Sequence, residues 1–413
     1  MLVAISGNVS ATPKGPNIGY GDSSNSNTIY APMANPSNNA PSVSNIDGYR
    51  FGAGFSSNVF VKSNGFEGIE DYLNNEVDNI LNKNIFELAD GVALADSFNG
   101  LMKKYQNGYV SAEGGGVIPV VVNIDTLGGG LSFDYSRFYA GKVSLARNSD
   151  VTGTFDPFQN TINVTKEGAG LTFQYKEATE LALGYGRKVM AINKGKWYDG
   201  NINIGLTGRY IEITAASMAI DFVQYTEDNL SGKNKSANDY LSDIQNGSSD
   251  SNITADMGID WTGENFMVSL VGKNLTAPSF NVQDQSTGYN FGISDSYKID
   301  PKFTMGAEWY SSNRNWTLAG AVDLNEGNDL NDNSTQWISA SVSYATNDAW
   351  YIPDVRIGVR NNIALNGYNY LTGGVTLGIF TLDLATTTTD FSGVVNNQSN
   401  EGVMASLGVE IDF

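Results

Sequence analysis

The sequence predicts an all-β fold, a transmembrane antiparallel β-barrel of about 14 strands, within a range of roughly 12 to 16. Three observations carry this. The final segment, residues 402–413, alternates the apolar Val403, Ala405, Leu407, Val409, Ile411 and Phe413 with Met404, Ser406, Gly408, Glu410 and Asp412, which are mostly polar or small. A strand sends successive side chains to opposite faces, so this segment has one apolar and one wet face and ends on an aromatic residue. The same period of two runs through most of the chain after Gly108. The connections in the second half also alternate between short turns and longer polar loops, an asymmetry expected of strands that cross a membrane up and down.

Composition agrees with this class and removes others. No apolar run reaches the roughly 18 residues of a helical membrane span. There are no cysteines and no histidines. Disulfides, thiolate metal sites, the commonest general base and the usual partner of a catalytic serine are therefore all unavailable. Neither an enzyme, a cofactor nor a metal is expected. A formal charge of −20 argues against nucleic acid as a partner, because such binding needs a basic surface.

Residues 1–48 are rich in Asn, Ser, Pro and Gly and hold too few apolar side chains for a core of their own. They form a free leader or an extended piece held inside another structure. The second is expected, since their amides can pair with inward polar groups of a barrel. The opening Met-Leu-Val-Ala-Ile-Ser has no basic or apolar stretch of signal-peptide length, so a signal peptide is expected to have been removed.

The barrel is expected over 49–413, beginning with a strand at 49–62. A helical insertion at 66–105 follows, with apolar residues at helical spacing: Phe66, Ile69, Tyr72, Leu73, Val77, Ile80 and Leu81, then Ile85, Leu88, Val92, Phe98, Leu101 and Met102. Gly91 and Gly100 are expected to break it into short helices. It would pack on its own barrel or serve as a lid, with Leu73, Val77, Ile80 and Leu81 against loops or one another.

Further strands are expected near 109–122, 128–146, 160–176, 180–192, 201–225, 251–261, 266–276, 302–310, 315–325, 335–346, 354–364, 369–378, 380–390 and 402–413. Counting back from a periplasmic C-terminus puts the short turns on the periplasmic side, except the short Leu365 to Tyr368 connection, and the insertion on the outer side. The apolar sets, such as Ile253, Met257 and Ile259 or Trp316, Leu318 and Leu324, should face lipid. Trp261, Phe266, Trp316 and Tyr344 lie beside short turns, where an aromatic girdle sits.

The leader carries Ala31-Pro32-Met33-Ala34-Asn35-Pro36-Ser37, which resembles the Asn-Pro-Ala leader of the FadL-like long-chain fatty acid transporter superfamily, with serine in place of alanine. The order of leader, strand, amphipathic helical insertion and Gly-rich strand (Gly114-Gly115-Gly116-Val117-Ile118-Pro119) is similar to the TraF-like conjugal-transfer branch. So are Val271 to Leu275, Ala321 to Leu324 and Val355 to Arg360. The resemblance implies an outer-membrane barrel with Asn35, Pro36 and Ser37 in a plug. It also implies passive diffusion of hydrophobic molecules. Phe413, with Ile411 and Val409, looks like the terminal signal read by the barrel-assembly machinery. Expected partners are outer-membrane lipid, that machinery and a hydrophobic small-molecule ligand.

On the expected inward faces, Arg356 and Arg360 lie four residues apart on one strand, with carboxylates available at Asp256, Asp260, Asp323, Asp383 and Glu410. They could hold a carboxylate-bearing ligand by bidentate contacts, or form a charge ladder that stiffens the lumen wall. Arg209 and Lys273 are similar candidates. The acidic loop Asn325 to Asn333 is expected to be solvated, having no calcium-loop spacing. Two functions follow: a passive channel for hydrophobic or amphipathic small molecules, or a barrel that anchors a surface or envelope-spanning complex.

Overall fold

The structure, a computed structural model, describes residues 18–20, 26, 28–40, 49–65, 75, 88–105, 108–124, 128–147, 149–156, 158, 161–164, 169–221, 244, 247–285, 294–346, 351–364, 369–387 and 400–412. Fourteen antiparallel strands close into one barrel. They are β1 Tyr49–Asn64, β2 Tyr109–Ile124, β3 Gly129–Arg147, β4 Ala169–Ile192, β5 Gly200–Asp221, β6 Ser248–Gly263, β7 Phe266–Lys273, β8 Lys302–Tyr310, β9 Trp316–Asp323, β10 Trp337–Tyr344, β11 Asp354–Asn362, β12 Asn369–Leu377, β13 Phe380–Thr387 and β14 Asn400–Asp412. Each strand pairs with the next in sequence, and β1 closes on β14 from Gly52 opposite Asp412 to Asn64 opposite Asn400. Closure satisfies every edge, the condition for backbone to lie in hydrocarbon.

The alternation of the sequence becomes two faces. Leu183, Leu206, Ile253, Leu318, Leu384 and Leu407 are exposed on the outside, while Ser132, Thr254, Ser339, Ser341 and Ser406 are buried inside. An outward apolar belt with an inward polar lining marks a membrane barrel. Trp261 and Phe266 meet edge to face at 4.9 Å beside the β6–β7 turn, and Trp316 and Tyr344 lie 4.9 Å apart near the β8–β9 turn. Both pairs flank short turns, as a girdle requires. Phe413 lies outside the described residues; Ile411 and Val409 point outward on β14, with Ile411 exposed.

One expected boundary is wrong. The two strands placed at 160–176 and 180–192 are a single strand of 24 residues, β4. The polar run Lys176-Glu177-Ala178-Thr179-Glu180 reads like a turn, but Lys176 and Glu180 point into the lumen and Glu177 pairs across the outer surface with Arg137. With that merger the strand count becomes 14. β3, β4 and β5 have 19, 24 and 22 residues, against eight or nine in β7 to β13. Since about 9–11 residues cross a bilayer, this side of the wall projects beyond the membrane at the long-loop end.

At that end the α-helix Leu88–Lys104 packs by Leu94, Phe98, Leu101 and Met102 against Val151 and Ala169. Asn99 fastens it, accepting from the Val151 N–H at 2.9 Å and donating to the Val151 carbonyl at 2.8 Å. Gly91 and Gly100 do not break this helix as expected. At Gly91 a β-carbon would press on the backbone of Thr154, so the glycine permits contact with the hairpin Gly153–Asp156 and Thr161–Val164. Leu73, Val77, Ile80 and Leu81 lie outside the described residues.

Candidate functional site

The lumen is filled from two directions. From the leader, the single helical turn Ala31–Ala34 and the 3₁₀ turn Pro36–Asn39 are seated against the wall. Asn35 starts the second turn: its Oδ1 accepts from the Ser37 N–H at 3.0 Å and the Ser37 hydroxyl at 2.7 Å. Three wall glycines make the seat. β-Carbons on Gly186, Gly205 and Gly258 would collide with Pro36 or Asn35, so β4, β5 and β6 admit the turn only because they carry hydrogen there. The wall also reaches for the leader backbone. Glu308 accepts from the Ser26 N–H, Glu410 from the Ile29 N–H at 2.8 Å, Lys273 donates to the Met33 carbonyl at 3.0 Å, and Thr372 to the Gly19 carbonyl at 3.1 Å. Gly258→Val should therefore unseat the turn while the barrel still assembles. Protease cleavage within residues 28–40 of the folded barrel checks this; resistance equal to the parent would mean the seat does not hold the leader.

From the other direction, the β9–β10 loop folds inward through the short hairpin Gly327–Asn328 and Ser334–Thr335. The expectation that this Asn325 to Asn333 loop is solvated fails, because Asp329, Leu330 and Asn331 are buried. Asp329 shapes the turn by accepting from the N–H groups of Asn331 and Asn333, and it binds the Lys62 ammonium at 2.6 Å. Burial would raise its carboxyl, but Lys62 and these hydrogen bonds outweigh burial and hold it below the usual range. Lys176 binds Asp332 at 2.5 Å, and Lys142 donates to the Asn331 carbonyl and to Asn333, each at 3.0 Å. Ammonium groups thus occupy the oxygens that a cation site would need. Among the described residues, no acidic cluster is arranged to hold a metal.

The sequence-predicted charged residues all face the lumen, each with its own partner. Arg356 binds Asp383 through Nε at 2.8 Å and donates to Thr376 at 2.8 Å. Arg360 does not join it; its guanidinium lies 3.7 Å from the ring centre of Trp337. Arg209 is paired with Glu180 and, at 3.4 Å, with Asp256, and donates to Asn274 at 3.2 Å. Asp323 binds Lys302 at 2.6 Å and accepts from Thr304 and the Trp337 N–H. Arg209 and Arg356 line separate stretches of wall, whereas Lys273 and Asp323 border one cavity. Between the leader and the β7–β10 wall remains a cavity of about 80 Å³, bordered by Asn35, Lys273, Lys302, Asp323 and Ser339, enough for a few waters.

A third group was not anticipated. Phe60, Tyr109, Trp337, Tyr370, Ala385 and Met404, from six strands of the outer part of the lumen, form one buried cluster with Ile18 of the leader. The ring centres of Phe60 and Trp337 each lie 6.0 Å from that of Tyr370. Strand parity held the clue: Phe60 shares the inward face of β1 with Ser56 and Asn58, and Met404 that of β14 with Ser406.

Solved structures similar to this chain are barrels of comparable length. The toluene transporter TodX of P. putida is 11 % identical, with 99 % of each chain covered and a TM-score of 0.46. The toluene transporter TbuX of Ralstonia pickettii is 8 % identical, with 99 % of each chain covered and a TM-score of 0.43. No curated protein sequence matches. Residues 32–323 match the family described as F plasmid transfer operon, TraF, protein, the branch that the leader, the helical insertion and the Gly-rich strand resemble. The match spans more than half of the chain, and the protein belongs to that family.

Proposed function

We propose that the protein is an outer-membrane channel for the passive passage of hydrophobic or amphipathic small molecules, closed in this state by its own leader. The observation that supports this is the inward aromatic pocket. A lumen wall that only meets water or a polar plug needs polar side chains. Here six apolar side chains from six strands turn inward and cluster with Ile18 of the leader. A concave apolar surface rimmed by cations, Arg360 over Trp337, Lys62 over Phe60 and Lys142 over Tyr109, fits a flat apolar or weakly polar ligand. Departure of Ile18 would uncover it.

A different observation favours an anchoring barrel: much of the remaining lumen is filled by buried ion pairs, such as Lys62–Asp329 and Lys302–Asp323. Uptake separates the two. Vesicles holding the barrel should take up a neutral aromatic dye faster than vesicles without it. Tyr370→Asp, which places a charge in the pocket, should remove most of the difference. Uptake no faster than in empty vesicles would leave the anchoring reading in its place.

A further inference from the structure

The β9–β10 loop tip does more than fill space. It carries an apolar side chain, Leu330, between residues bearing carboxylates, Asp329 and Asp332. Each part has its own receptor in the outer third of the lumen. Leu330 enters an apolar cluster formed by Phe138, Ile211 and Ile213 of the wall with Phe280, Tyr297 and Ile299 of the β7–β8 loop. The carboxylates meet Lys62 of β1 and Lys176 of β4, and Lys142 of β3 holds the backbone between them. Asn331 donates to Glu113 of β2 at 2.9 Å. One loop from β9–β10 therefore bridges to four consecutive strands on the opposite part of the closed wall, β1 to β4.

We propose that this tip is an electrostatic latch: Asp332 on Lys176 and Asp329 on Lys62 hold the loop across the long-loop mouth of the barrel, and its release opens that mouth. The consequence for passage rests on the channel reading; the latch itself does not. Its geometry is that of a releasable contact. The loop enters as a short two-residue hairpin, and Asp332 sits at a backbone φ of 61°, a conformation that costs a non-glycine residue energy. Its grip combines the two charge pairs, the Lys142 and Glu113 hydrogen bonds and one leucine. Removing the Asp332 charge leaves Lys176 buried without its carboxylate, which favours the released loop, whereas Lys62 retains Glu113 at 3.6 Å when Asp329 is removed.

The chain has no cysteine, so Leu330→Cys supplies a single buried thiol whose reaction with a water-soluble maleimide reports the loop position without ligand or transport. In the L330C background, Asp332→Asn should speed labelling about tenfold, and adding Asp329→Asn should speed it further. Asp332→Glu, which keeps the charge, should label as slowly as the parent. Unchanged labelling in Asp332→Asn overturns the latch. Equal acceleration by Asp332→Asn and Asp332→Glu also overturns it, because shape and not charge would then hold the loop. If the double variant does not assemble, Asp332→Asn alone decides, since it leaves the Asp329 turn intact. Dye uptake in the same variants then tests passage: a freed loop with no gain in uptake would count against the channel reading and leave the latch standing.

Discussion

Removing residues 1–40 will raise single-channel conductance in planar bilayers several-fold. The described residues of this segment are not a tail resting on the rim. Ile29, Tyr30, Ser37 and Asn39 are buried, and their surroundings are wall residues from strands around the barrel: Glu308 on β8, Glu410 on β14, Lys273 on β7 and the glycine seat on β4 to β6. Small barrels fill their interiors with their own side chains, and larger ones leave an aqueous path unless something plugs them. At 14 strands this protein lies between, and the inward side chains nearest the leader turns include Gly186, Gly205, Gly258, Ser269, Gly306 and Ser339, too small to meet across the middle. Loss of the leader therefore leaves a water-filled space along β7 to β14. The gain should be incomplete, because the Asp329 to Asn333 tip still crosses the outer part of the lumen on the β1 to β4 side. Conductance equal to that of the full chain would place the current path elsewhere and remove the leader as its closure.

Much of the barrel could be read before any coordinates, for a simple reason. A membrane wall forces a period of two on every strand, and an up-and-down topology forces an alternation in loop length, so both signals are local. Ile338 and Ser339 already declare opposite faces. The one merged strand shows where locality misleads. Lys176, Glu177 and Glu180 look like a solvated turn because their partners Asp332, Arg137 and Arg209 are distant in sequence. The lumen was less legible for the same reason. That Arg209 faces inward follows from parity, but that it chooses Glu180 and Asp256 depends on register between strands. The seat for Pro36 needs Gly186, Gly205 and Gly258 at one level, and nothing within any one strand says that they meet. The acidic loop gave the most misleading signal, since its composition is that of a solvated surface and its three lysine partners lie on β1, β3 and β4.

Arg209→Met will destabilise the folded barrel more than any exposed-charge substitution, by about 3–5 kcal/mol. The guanidinium is buried, as are both carboxylates it serves, Glu180 and Asp256. Their desolvation is offset only while the pairing is complete. Methionine would fill part of the volume and leave two carboxylates facing each other without a cation. Arg209→Lys keeps the charge but cannot reach Glu180, Asp256 and Asn274 with one planar fork, and should fall between. The control is Arg137→Met. Its partner Glu177 lies on the outer surface and the arginine side chain is 48 % exposed, so the loss should be small. The urea midpoint of the heat-modifiable band for each variant gives the comparison. Adding Glu180→Gln and Asp256→Asn to Arg209→Met should recover most of the loss, because the penalty comes from stranded charge and not from the missing pair itself. If Arg209→Met costs no more than Arg137→Met, water must reach and screen the Glu180–Arg209–Asp256 group. The lumen there would then be a hydrated path rather than a packed wall, and the leader could not be its main seal.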